Sequence, residues 1–156
     1  MPRILVAAAV AVFGLTALPA LAQFQKPEQA IKYRQSVFTV MATHFGRVAA
    51  MAQGKAPFDA QVAADNAMLA NSMAALPYMA FGAGTDKGAP TRAKAEIWLE
   101  PDKFKASAQD MQKAMAKFAD AAKGGSLDAI KATVDDVGKA CKACHDDFRA
   151  EKYSSN

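Results

Sequence analysis

Strand-like alternation, internal repeats and low-complexity tracts are all missing from this chain of 156 residues. Sheet-based folds, solenoids and compositionally biased tails are excluded with them. Nor does one sign of charge dominate. Nineteen Lys and Arg stand against 15 Asp and Glu, a formal +4, and the basic residues are spread along the chain, which disfavours a nucleic-acid interface. Beyond residue 22 no apolar run reaches the roughly 20 residues of a membrane helix. Cysteine and histidine are nearly absent, with Cys141, Cys144, His44 and His145 the full supply. Metal or redox chemistry is therefore confined to very few positions.

What is present is concentrated in Cys141-Lys142-Ala143-Cys144-His145. A C-x-x-C-H pentad reads as the attachment site of a c-type haem. Two thiols three apart on a helix share one face, where each can add to a haem vinyl group, and the following imidazole reaches the iron. One pentad implies one haem. Other uses of the pair fit less well. A thioredoxin-like couple needs a βαβ setting, a zinc site needs a fourth ligand when only His44 is left, and a disulfide across three helical residues is strained.

Residues 1–22 carry Arg3, an apolar run from Ile4 to Leu15 and then Ala20-Leu21-Ala22. That order predicts a secretory signal peptide with an A-x-A cleavage site. Removing it leaves 134 residues, 23–156, with 18 basic against 15 acidic side chains. This length suits one domain with its own core. The expected location is the periplasm of a Gram-negative bacterium, with no membrane association after cleavage.

Apolar periodicity predicts four amphipathic helices. The first follows Lys26-Pro27 with the stripe Ile31, Arg34, Phe38, Met41, Phe45 and Val48, ending at Gly54 and Pro57. The second opens on Asp59 as N-cap and carries Val62, Leu69, Met73 and Leu76, stopping at Pro77. A crossover without helical period, rich in Gly and Pro, extends to Pro101. The third helix repeats Phe104, Ala108, Met111, Met115 and Phe118 up to Gly124-Gly125. Ser126 caps the fourth, with Leu127, Ile130, Val134, Val137, Cys141, Cys144 and Phe148. These stripes make an all-α, antiparallel four-helix bundle. Because both cysteines occupy stripe positions, the haem is expected inside the bundle.

The opposite side of the iron has few candidate ligands. His44 lies beside the first stripe, and Met41, Met73, Met111 and Met115 lie on stripes, where methionine is ordinarily gap-filling core. The charged intruder is Arg34. It either meets a haem propionate or snorkels to solvent. Phe38, one turn later, either covers the ring or is plain core.

Tyr33 to Phe38, His44-Phe45-Gly46-Arg47, Leu76 to Gly82, Glu96-Ile97-Trp98 and Asp135 to His145 together resemble the cytochromes c′, a family of class II c-type cytochromes. The likeness covers nearly all of residues 23–156. It implies a five-coordinate haem with His145 proximal, Phe38 hindering the distal face, Arg34 near the propionates and Arg149 beside the proximal pocket. It also places Tyr78 and Phe81 around the cofactor, although relatives often carry Trp where Tyr78 stands. Low-spin relatives carry a methionine ligand at the position of Phe38. Members are commonly homodimers packed through the first two helices. The expected function is reversible binding of nitric oxide and carbon monoxide by a protein that also undergoes one-electron transfer with an unidentified redox partner. An electron carrier with no gas-binding role is the alternative. An enzyme is not expected, since the stripes offer no distal His–Arg pair for cleaving a peroxide bond.

Overall fold

A computed structural model describes residues 24–154; the expected signal peptide lies outside the described residues. Pro27 opens α1 (Pro27–Ala52), in a first turn whose N–H groups have no intrahelical acceptor anyway. Gly54 follows with φ +70°, a left-handed conformation that glycine adopts without steric penalty. Asp59 caps α2 (Ala60–Met73), its side chain accepting from the Val62 amide at 2.9 Å.

The crossover differs from its expected character. Pro77 does not end helical structure but sits in the first turn of a 3₁₀ segment, Leu76–Ala80, and α3 (Glu96–Leu99) forms before the next long helix. Pieces this short complete barely one turn, so they leave no periodicity to detect. α4 (Pro101–Lys123) begins on its proline, and Ser126 caps α5 (Leu127–Phe148) by accepting from the Ala129 amide.

The four long helices form a ring in which α1 packs on α2, α2 on α4, and α4 on α5. The last seam, α1 against α5, is much shorter. Met111, Met115, Phe118, Ile130 and Val137 fill the centre. A second cluster, Ile97, Cys144 and Phe148 with Phe81, Trp98 and Phe104 around them, joins the crossover to the last turns of α5.

The inward face of α2 needs correction. Val62 and Leu69 are 41% and 39% exposed. The buried face is Ala63, Asn66, Ala67, Ala70 and the following Ala74. Small side chains let α2 lie close to both α1 and α4, so bulk was the wrong guide to the inner stripe.

Candidate haem-binding site

Where α1 and α5 part, a cavity of about 500 Å³ opens between α1, α4, α5 and the crossover. Its size falls in the range of cofactor sites, roughly 300–1,000 Å³. The residues singled out in the sequence converge on it. Arg34 and Phe38 line it from α1, and Tyr78 and Phe81 from the crossover. Cys141, Cys144 and His145 line it from α5, with Arg149 immediately beyond. Helical spacing explains the α5 set: residues three and four apart share a face, so Cys141, Cys144, His145 and Phe148 line one wall. Both thiols are free.

Burial decides the charge states on that wall. The Cys144 thiol is pushed up to about 11, chiefly by burial and further by Cys141 and Asp147. Burial also raises Cys141. Both thiols are therefore held in the neutral form. Burial lowers the pKa of His145, and the cations of Arg149 and Arg92 lower it further against the opposing effect of Asp146. The neutral imidazole that results is the form able to ligate iron.

Arg34 is 2% exposed, so it does not snorkel. Nη1 donates to the Ala80 carbonyl at 3.0 Å and to Thr85 Oγ1 at 3.1 Å. Nη2 donates to the Thr85 carbonyl at 2.8 Å and to Thr91 Oγ1 at 3.2 Å. The guanidinium carbon stands 4.3 Å from the centre of the Phe81 ring. Neutral acceptors thus satisfy four of its five N–H donors. Its net charge remains on the cavity wall. Burial lowers its pKa to about 10, against the opposing effect of Asp86, so it stays protonated at neutral pH.

Phe38 meets Tyr78 edge-on, ring centres 6.0 Å apart. Burial raises the Tyr78 phenol, and the neighbouring Cys144 and Cys141 raise it further. Phe104, a stripe position with no chemical signal of its own, is the hub behind them. It lies 5.6 Å from Tyr78, 5.0 Å from Phe81 and 5.2 Å from Phe148. Arg92 and Tyr153 also line the cavity; both sit in segments without periodicity and were not foreseen.

His44 belongs elsewhere. Its Nδ1 is 2.8 Å from Asn66 Oδ1, while Asn66 Nδ2 donates to the Val62 carbonyl at 2.8 Å. In that arrangement His44 carries its proton on Nδ1 and joins α1 to α2. Met41, Met111 and Met115 line the cavity; His44 and Met73 do not.

Comparison with known proteins gives a consistent result. A family model described as Cytochrome C' matches residues 29–149. The cytochrome c' of Rubrivivax gelatinosus is 56% identical over 127 residues, covering 81% of this chain and 98% of that protein. Its crystal structure superposes with a TM-score of 0.80, over 81% of this chain and 99% of that one. The nitric oxide complex of a single-site variant of cytochrome c prime from Alcaligenes xylosoxidans has a TM-score of 0.78 at 45% identity, over 83% and 100% of the two chains. A carbon monoxide-bound variant of the same protein gives 0.77 at 44% identity, with the same coverage.

Proposed function

Because this chain belongs to the cytochrome c′ family, whose haem c is attached here through Cys141 and Cys144, we propose that it binds nitric oxide and carbon monoxide at a five-coordinate haem. The observation that carries this reading is the asymmetry of the cavity: α5 contributes an imidazole, His145, while α1 contributes no histidine but Phe38, Met41, Ala42 and Phe45 beside the polar Arg34, Gln35 and Thr39. The haem supplies an iron able to take a diatomic ligand. His145 would hold that iron through the imidazole it brings to the α5 wall. Phe38, braced by Tyr78, holds the volume opposite it and disfavours ligands that need room or hydrogen bonds, dioxygen among them. A bound gas would need the room that Phe38 now fills. Arg34 supports a propionate with its charge and with Nε–H, the donor its four protein bonds leave over. Arg149 stands beside His145. The same haem undergoes one-electron transfer, and no substrate turnover is assigned.

Two wider features belong to this reading. Val40 on α1 and Val62, Met68 and Leu69 on α2 are exposed apolar side chains, which supports a homodimer packed through these two helices. No helix among the described residues is long and apolar enough to cross a membrane. Together with the leader expected at residues 1–22, this supports a periplasmic location.

Absorption spectra and carbon monoxide titrations of the wild type and Phe38→Ala test the site. The ferrous wild type is expected to be high-spin and five-coordinate. Displacing a packed aromatic costs on the order of one to a few kcal/mol, so Phe38→Ala should bind carbon monoxide roughly ten- to a hundredfold more tightly. A low-spin ferrous wild type would overturn the open coordination site, and unchanged affinity in the variant would remove Phe38 from it.

A further inference from the structure

Of the residues that line the large cavity, five are exposed: Thr39 and Ala42 on α1, His145 on the last turn of α5, and Arg149 and Tyr153 beyond it. They mark its mouth, which opens beside the short α1–α5 seam. The two sides of that mouth differ in chemistry. On the α1 side, Thr39, Ala42 and Gly46 fall at steps of three and four and share a face, with Thr43 beside them. Thr39 Oγ1 donates to the Gln35 carbonyl and Thr43 Oγ1 to the Thr39 carbonyl, both at 2.8 Å. Hydroxyls bonded to their own helix lose little when water leaves the surface. The single carboxylate of α1, Glu28, lies in its first turn, about three turns before Thr39. This side is flat, small and uncharged.

Charge gathers on the opposite side. Arg92 and Arg149 line both the large cavity and a smaller, open one of about 330 Å³, which Lys94, Asp146 and Glu151 also border. Among the described residues none of these three cations forms an ion pair. Arg92 Nε donates instead to the Ala150 carbonyl, and Lys94 Nζ to the carbonyls of Asp146 and Asp147. The aspartates nearby are already taken, Asp146 by Lys142 and Asp147 by Lys103. Glu151 alone is left to oppose three uncompensated cations. Tyr153 stands among them, 62% exposed, with the Arg92 guanidinium carbon 5.9 Å from its ring centre.

We infer that this mouth is the docking site of an acidic electron-transfer protein. Its carboxylates meet Arg92, Lys94 and Arg149, while an uncharged part of its surface lies against Thr39, Ala42 and Gly46. The inference rests on the reading that the haem undergoes one-electron transfer. A single electron passes between the haem and the partner's redox centre, and no bond is made or broken. The smaller cavity has room for a carboxylate side chain, and Tyr153 offers the exposed ring that contact surfaces favour. A cationic partner is repelled by the three unpaired charges, so the same pattern supplies selectivity.

The test mixes ferrous holoprotein rapidly with three one-electron oxidants. These are cupric plastocyanin, a copper protein with an acidic surface, the small anion hexacyanoferrate(III), and the cation tris(phenanthroline)cobalt(III). Arg92→Gln, Arg149→Gln and Thr39→Glu are compared with the wild type and with Lys113→Gln, which removes one charge on α4 outside both cavities. At low ionic strength the plastocyanin rate should fall about three- to tenfold in each of the three mouth variants, and much less in Lys113→Gln. Salt at about 0.5 M should erase the difference. The cobalt complex should react faster in the same variants, because the charge that repels it has been reduced. Equal slowing with plastocyanin and the cobalt complex would place the effect at the haem and overturn the docking site. So would slowing with hexacyanoferrate alone, the mark of a pocket for small anions, or a plastocyanin rate that falls no further than in Lys113→Gln. A ferrous haem that gives no electron to any of the three oxidants would instead refute the electron-transfer reading itself.

Discussion

Arg34 combines two roles that one substitution cannot separate and two can. Its bonds hold Ala80, Thr85 and Thr91 against α1, while its charge faces the cavity. Arg34→Leu leaves several buried acceptors without donors, each worth about 1–3 kcal/mol, so denaturant unfolding of the holoprotein should show a loss of about 3 kcal/mol. A nearby cation favours the ionised carboxylate; removing it should raise the propionate pKa and move the inflection of the potential–pH curve to higher pH. Arg34→Lys keeps the charge without the planar fork, so stability should fall while the inflection stays near its wild-type position. Coincident potential–pH curves for wild type and Arg34→Leu would mean that Arg34 serves the crossover alone. As a charge on an apolar stripe, Arg34 was legible in the sequence. Its partners were not, because they lie 46, 51 and 57 positions away and only the folded chain brings them near.

At the scale of the element, α2 is the helix whose face the sequence misrepresents. Alanine is a strong helix former anywhere, so an alanine stripe carries little directional information, while Val62 and Leu69 invite the opposite choice. Their exposure places an apolar surface on the outside of the bundle. Leu69→Glu should therefore shift sedimentation equilibrium from dimer to monomer and leave the absorption spectrum unchanged. Since an exposed position tolerates substitution within about 0.5 kcal/mol, the unfolding midpoint of the monomer should barely move. A wild type that is monomeric at micromolar concentration would end the dimer reading. By contrast, α1, α4 and α5 were legible because bulky apolar residues recur at steps of three and four, with Pro27, Pro101 and Ser126 marking the starts. The 3₁₀ segment, α3 and residues 149–154 were not, since hydrogen bonds to distant segments hold them in place.

For the molecule as a whole, the ring of helices has three long seams and one short one, and the candidate haem cavity opens beside the short one. Replacing Cys141 and Cys144 together by Ala should yield protein whose haem is lost to acid–acetone extraction, with a lower melting temperature. Haem retained through that extraction would refute covalent attachment. The short seam also bears on the life of the protein before it is finished. A newly made chain can close α1 on α2, α2 on α4 and α4 on α5 while its fourth side keeps a cleft lined by the half-buried Phe38, Phe45 and Phe104. An unloaded chain would then advertise its immaturity as an apolar cleft and a poorly secured α1, the features by which proteases and chaperones sort clients. Installing the cofactor would conceal that mark, so survival in the cell would itself report that maturation is complete.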